Sequence, residues 1–456
     1  MTLSPPLPKR LPMRRGMVLA RCLLAVLASL LLSAVPSAHA QNAPPVLITQ
    51  TVDESTLVKL KGNTRPEAKA KNDLGRVDDN LLIEHLQLLL KRSPEQEQEL
   101  GKFIDDLHDQ SSPNFHRWLT AQEFGERFGV SKQDREAIKD WLQSHGLKVN
   151  VDYPNGLLID FSGTAGQLRE ALHTEIHSLN VKGVKHIANM SDPQIPAALA
   201  PAVVGVVSLH DFRPHTNFKP RTEYTVTKSG TKYYLVVPGD LETIYNINPL
   251  FSAGISGQGQ TIVAIEDTDV YTVDDWTSFR SVFGLSSYTA GTLTQTHPAP
   301  PSGANNCADP GDNGDDREAI LDAEYASAAA PSAAIVLASC ANAGTFGGLV
   351  ALQNMLNAGT TPPLVSMSYG ECEAANGAAS NAAFNSAFQQ AVVEGISVFV
   401  SSGDDSATGC GRGEEDTPYG IGVSGWASSP YDVAVGGTDF GDTFAGTNST
   451  YWKATN

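Results

Sequence analysis

The stretch "REAILDAEYASAAAPSAAIVLASC", residues 317–340, sets an alanine-rich helix directly before an apolar strand. Further apolar, β-branched runs flank it: "TIVAIED" (261–267), "PLVSMSYG" (363–370), "SVFVSSGDD" (397–405) and "DVAVGGTD" (432–439). Small-residue helices are expected between them, near 345–358 and 380–394. Continuous apolar strands alternating with helices predict an α/β fold with a doubly wound parallel sheet. Such sheets bind ligands beyond the C-terminal ends of their strands. Those ends carry Glu266, Asp267, Ser368, Tyr369, Asp404 and Asp405. The opening helix adds Glu318 and Asp322, four residues apart and so on one face, where like charges repel.

Outward from this region the chain changes character. Residues 41–215 read as α/β units without the strand–helix alternation. "NLLIEHLQLLLKR" (80–92) and "EQEQELGKFIDDLHD" (95–109) have helical periodicity. "SKQDREAIKDWLQSHG" (131–146) is a helix capped by Ser131 and stopped by Gly146. A hairpin turning at Pro154-Asn155-Gly156 precedes a helix capped by Thr164. Residues 212–232 are polar, contain proline and lack a period, as an exposed linker would.

The first 40 residues form a separate segment. A basic lead (Lys9, Arg10, Arg14, Arg15, Arg21), the apolar "CLLAVLASLLLSAV" and the small residues Ala38-His39-Ala40 predict a secretory signal cleaved near Ala40. The alternative is a retained anchor. Export leaves Cys307, Cys340, Cys372 and Cys410, which allow three pairings. Of these, Cys307–Cys340 with Cys372–Cys410 is the favoured one. No C-x-x-C spacing occurs, and no zinc site is expected. Charge is unequally shared: residues 238–456 hold 4 basic against 25 acidic side chains. That balance opposes binding to nucleic acid or anionic lipid, and acid would relieve its self-repulsion.

Chemistry then follows by elimination. Only His297 of the 11 histidines lies beyond residue 237, in a proline-rich loop, so a histidine-based triad is not expected. Carboxylates must move any proton. Two adjacent ones can share a proton and act below neutrality, which singles out Glu318 and Asp322. The bland alternative is a solvated helix start with favourable negative charge. Asp404, after Gly403 at a strand exit, can donate to an oxyanion while protonated, or be only a turn residue. "DPGDNGDDRE" (309–318) suggests calcium, but position twelve counted from Asp309 is Ile320, not the EF-hand glutamate. The glycines of "GISGQGQ" (254–260) precede a strand, so a dinucleotide site fails. The paired D-[ST]-G loops of aspartic peptidases are absent.

Taken together, "EAILDAEYASAAAPSAAI", "VSMSYG", "VSSGDD" and "SSPYDVAVGGT" resemble the sedolisin–kumamolisin family of serine-carboxyl peptidases, in the family's order. Residues 112–180, with "SPNFHRWLTAQEFGERFGVS", look like its activation prodomain, and "PGDLETIYNI" (238–247) like the start of its catalytic domain. The resemblance implies a subtilisin-like sheet preceded by an α+β prodomain. The expected division is 1–40 signal, 41–225 prodomain and linker, and 226–456 the N-terminal part of the peptidase domain. Glu318 would be the general base, Asp322 its partner and Asp404 the oxyanion donor. Glu266, Ser368, Tyr369 and Gly370 fall in the substrate-binding stretches, with tyrosine where tryptophan is common. The family's nucleophile lies in a G-T-S motif that "GGTDF" and "GTNST" do not match. This leads to the expectation of a fragment ending before that serine, with the family's calcium ligands also past residue 456. The implied partners are protein substrates and the chain's own prodomain as inhibitor. The rival is an inactive secreted binding protein on a peptidase scaffold.

Overall fold

A computed structural model describes residues 43–216, 226–228, 231–233, 236–359, 361–404, 410, 422–438 and 446–447. The expected signal, and most of the expected linker and its cleavage region, lie outside them.

The C-terminal half is built on six parallel strands: β6 (Thr261–Glu266), β7 (Thr292–Thr296), β8 (Ala334–Ser339), β9 (Leu364–Met367), β11 (Ser397–Ser401) and β12 (Val433–Val435). Their order is β7-β8-β6-β9-β11-β12, every neighbouring pair parallel. The chain winds one way from β6 to β7 and β8, then crosses to β9 on the other side. The switch point is therefore at β6, whose last residue is Glu266. Helix α6 (Asp316–Ala329) lies on one face. Its Ala319, Ala323 and Ala328 are fully buried; the first two pack with Ile335 and Leu337 of β8. Small side chains let this helix approach the sheet closely, which draws its first-turn Glu318 into the interior. Helices α7 (Gly347–Asn357) and α8 (Ala378–Val393) cover the other face. The doubly wound α/β reading holds. The polar edge strand β7 has no counterpart in the sequence reading, since "TLTQT" offers no apolar run.

The N-terminal half is α+β. A four-stranded antiparallel sheet has the order β2 (Lys148–Asp152), β3 (Leu158–Thr164), β1 (Leu82–Leu90), β4 (Val203–Val206). The predicted caps form: Ser131 accepts from the Asp134 N–H to start α3 (Lys132–Ser144), and Thr164 makes a capping box with Gln167 at α4 (Ala165–Leu172). Helix α1 (Pro94–His108) likewise begins at a Ser93 capping box, and α2 is Ala121–Phe128. One expectation fails. The leucine run expected as a helix is strand β1, central in its sheet and buried over its last five residues. A short apolar run fits a two-sided buried strand as well as a helix; pairing with β3 and β4 decides it.

The two halves share a core. Leu89, Val151, Tyr153 and Leu158 from the antiparallel sheet cluster with Val350, Leu352, Phe384 and Phe388 of α7 and α8. Polar side chains fix the register: Gln87 Nε2 donates to Gln353 Oε1 (2.6 Å), and Tyr153 Oη to Asn354 Oδ1 (2.8 Å). Asn155 Nδ2 donates to Gln390 Oε1 at 2.8 Å. Just after this half, β5 (His215–Thr216) pairs antiparallel with β10 (Tyr369–Gly370), so part of the stretch read as a free linker is a strand.

Cys307 is bonded to Cys340, and Cys372 to Cys410. Both bonds should persist in protein purified without reductant, leaving all four thiols unreactive. Alkylation of Cys307 or Cys372 in native protein, read by peptide mass spectrometry, would contradict this.

Candidate active site

Four elements converge at the switch point. Strand β6 delivers Glu266 and, one residue on, Asp267. The first two turns of α6 deliver Glu318 and Asp322, the exit of β9 delivers Ser368 and Tyr369, and the exit of β11 delivers Asp404 after Gly403, whose φ is +97°. That left-handed turn needs glycine.

Side chains link in a row. Ser368 Oγ donates to Asp322 Oδ1 at 2.8 Å. Asp322 also shares a hydrogen bond with Glu266. Tyr369 Oη lies 2.9 Å from Glu266 Oε2 and 3.0 Å from Asp267 Oδ1, offering one proton between two carboxyl groups. Asn342 Nδ2 holds the other Asp267 oxygen at 2.7 Å. Glu266 and Tyr369 are fully buried and Glu318 is 5% exposed. Glu266 Oε1, Glu318 Oε2 and Asp322 Oδ2 are enclosed without a hydrogen-bond partner.

Enclosure sets the electrostatics. Burial, then the charges of Asp322, Asp404 and Asp315, push Glu318 up to about 8. Burial raises Asp322 to about 6 against the lowering bond from Ser368. Glu266 is held well above the usual carboxylate range, first by burial and then by Asp322. A group so placed stays protonated and can donate to its neighbour. Glu266, Asp267 and Asp322 are thus tied together in one array through Tyr369 and Ser368, and Glu318, with one unpartnered oxygen, lies close enough to Asp322 to be raised by its charge. The solvated helix start does not describe Glu318.

Sequence reasoning placed Glu318, Asp322, Glu266, Ser368, Tyr369 and Asp404 near one another, and the structure brings them together. Glu266 and Tyr369 are both buried, with the Tyr369 hydroxyl bonded to Glu266. Gly370 differs, since its backbone is engaged by β5. Asp267 and Asn342 were missed as members of the array. Asp267 was visible only as the acid following Glu266, and Asn342 carries no local signal.

If the Tyr369 hydroxyl holds this array, Tyr369→Phe should cost about 1–3 kcal/mol by leaving buried acceptors unpaired. Urea denaturation measures it; a loss under about 0.5 kcal/mol, below a typical net hydrogen bond, would show the bridge to be unimportant.

Residues 69–212 match the pro-kumamolisin activation domain. Kumamolisin from Bacillus sp. (strain MN-32) is 28% identical over 83% of this chain and 66% of its own length. Sedolisin from Pseudomonas sp. (strain 101) is 27% identical, over 78% of this chain and 60% of that protein. Human tripeptidyl-peptidase 1 is 26% identical over 82% and 65% respectively. Over most of its length the chain is similar to members of the sedolisin family. It spans about two thirds or less of the length of these curated relatives. The match to the activation domain covers the antiparallel sheet and its helices, and the parallel sheet follows it in the chain.

Calcium, implied by the family, does not fit the acidic loop 309–315. Asp309, Asp312 and Asn313 turn side-chain oxygens onto the N–H groups of Gly311, Gly314 and Asp315 (2.8, 3.0 and 3.0 Å), not toward a common centre with six to eight oxygens. No step below involves calcium.

Proposed function

We propose that this chain is the activation and catalytic region of a secreted serine-carboxyl endopeptidase, made as a proenzyme and hydrolysing proteins at acid pH. The observation that carries the reading is Glu318: a buried glutamate with an open oxygen and raised proton affinity, in a half-chain whose lone histidine is elsewhere. Glu318, once it has given up the proton it holds in the buried proenzyme, takes the proton of an attacking serine hydroxyl and passes it to the leaving amine as the peptide C–N bond breaks; Asp322 steadies it, and water then hydrolyses the acyl-enzyme. Glu266 and Tyr369 orient Asp322 from behind. Asp404, protonated in acid, donates to the carbonyl oxygen as it becomes negative. Ser368 is not the nucleophile in this scheme, because its hydroxyl is committed to Asp322.

The prodomain's role as intramolecular inhibitor is supported by β5. An extended peptide added to a sheet edge by backbone hydrogen bonds is how many binding grooves hold a ligand. Tyr369–Gly370 is such an edge, and His215–Thr216 lies along it, antiparallel. Cleavage beyond Thr216 would free that edge for substrate. An N-terminal signal would route the proenzyme out of the cytoplasm; no helix among the described residues is long and apolar enough to cross a membrane.

A longer form of the protein that carries the nucleophilic serine, brought to pH 4, should cut itself once, between about residues 215 and 237, and then digest casein. N-terminal sequencing and a casein assay follow both events. A new N-terminus inside 261–340, or no proteolysis at any acid pH, would refute the reading.

A further inference from the structure

His297 is the one histidine of residues 238–456, and the peptidase chemistry has no use for it. It follows β7, and its Nε2 lies 3.1 Å from both carboxylate oxygens of Asp269, which follows β6. On the other side Asp309 Oδ1, from the acidic loop, is 3.8 Å from the same nitrogen. One ligand atom from each of the three residues falls within 4.8 Å of the other two. Ser339, the last residue of β8, donates its hydroxyl to Asp269 Oδ1 at 2.6 Å.

We propose that Asp269, His297 and Asp309 form a divalent transition-metal site, best suited to zinc, that ties the loop after the first strand of the sheet to the loop leading into the helix of Glu318.

The ligand chemistry selects the ion. One imidazole and two carboxylates suit zinc and its neighbours, whereas calcium wants an all-oxygen cage. Ligand atoms about 2.0–2.1 Å from a tetrahedral zinc stand roughly 3.3 Å apart. The 3.1 Å separation already meets this, and the 3.8 Å between His297 Nε2 and Asp309 Oδ1 must shorten by about 0.5 Å. Asp309 can do so by turning its side chain, 67% exposed on a loop, away from the Gly311 N–H that its Oδ1 now accepts. Asp269 is the fixed member, 16% exposed and held by Ser339, the kind of outer bond that orients a ligating carboxylate. Two negative charges face the imidazole in a strongly acidic half-chain, which draws a dication. Water would complete the coordination. Such an ion would clamp the Asp269 loop to the Asp309 loop, only nine residues before Glu318. It would act on the position of α6 rather than in proton transfer, so the proposal stands apart from the peptidase reading.

Titration calorimetry with ZnCl2 on tag-free full-length protein at pH 7.5, with calcium present in excess, tests it. The expected result is one saturable equivalent per chain, at least about tenfold weaker in Asp269→Asn and His297→Ala and more mildly weakened in Ser339→Ala. Zinc should also raise the melting temperature of the parent and not of His297→Ala. Cobalt supplies a measurement that needs no variant. Co2+ bound to the parent should give the visible absorption of a four-coordinate ion, bleached by one equivalent of zinc. Parent protein with no saturable binding, His297→Ala with the parent's affinity, or cobalt with only the six-coordinate spectrum would each overturn the proposal.

Discussion

Glu318→Gln in the full-length protein is expected to lower peptidase activity by several orders of magnitude, as loss of a triad base does, and to leave the prodomain uncut. The amide keeps the size and burial of the glutamate but cannot accept the serine proton. Asp322, one helical turn on, cannot substitute, since Ser368 and Glu266 already occupy it. Raised to about 8, Glu318 is protonated in the acid proenzyme, so it serves as base only after its surroundings open and it ionises near the working pH. Activity near the parent level would end the serine-carboxyl reading.

Asp404 tests the same mechanism from the other side. It lies close enough to Glu318 for its charge to raise that group. As oxyanion donor it needs its proton, so activity should fail as pH rises through its titration. Asp404→Ala should cost about 10²–10³-fold in kcat, the usual loss for one oxyanion donor. Asp404→Asn keeps a donor that needs no proton. It should retain more activity than Asp404→Ala at neutral pH, with the alkaline side of the kcat profile moved upward. Equal losses in the two variants would remove Asp404 from the oxyanion role.

Most of this arrangement was legible because strands buried on both faces must be continuous apolar runs, and such runs end where the parallel sheet opens to ligands. Glu266, Tyr369 and Asp404 could thus be placed at strand exits, and the helical spacing of Glu318 and Asp322 put them on one face. Burial was harder to read. Nothing local says that the first turn of α6 lies under cover; that follows from Ala319 and Ala323 letting the helix sink against β8. Nor could periodicity tell β1 from a helix, since its leucines are buried on both sides. The partnership of Asp267 with Tyr369 and Asn342 joins residues far apart in sequence, and only the folded loops bring them together.

Stability should fall as pH rises from about 4 to about 8, the window set by the buried carboxyls. In the native protein Glu318 is pushed up to about 8 from an ordinary 4.5, and Asp322 to about 6 from 3.8. Burial likewise raises Glu394 to about 8, against its bond from Gln390, and Glu324 to about 7, with Asp275 adding to the effect. A raised native pKa means that the folded state binds the proton more tightly than the unfolded chain does. Its contribution is complete below about pH 4, where both states are protonated. It is lost as the unfolded chain ionises and the native carboxyl does not, until pH passes the native value. Glu318→Gln isolates one such group, because glutamine is neutral in both states. At pH 4 the variant should match the parent. At pH 7.5 it should be more stable, by up to about 4 kcal/mol from the roughly 3 pH units above the ordinary value at about 1.4 kcal/mol each. Sharing of the proton with Asp322 brings the expected gain nearer about 2 kcal/mol. Urea denaturation of parent and variant at the two pH values gives the difference directly. An effect of equal size at both would mean that Glu318 is not held protonated by its surroundings. A variant destabilised at pH 7.5 would mean that its negative charge is stabilised there, and that the base is already ionised in the resting proenzyme.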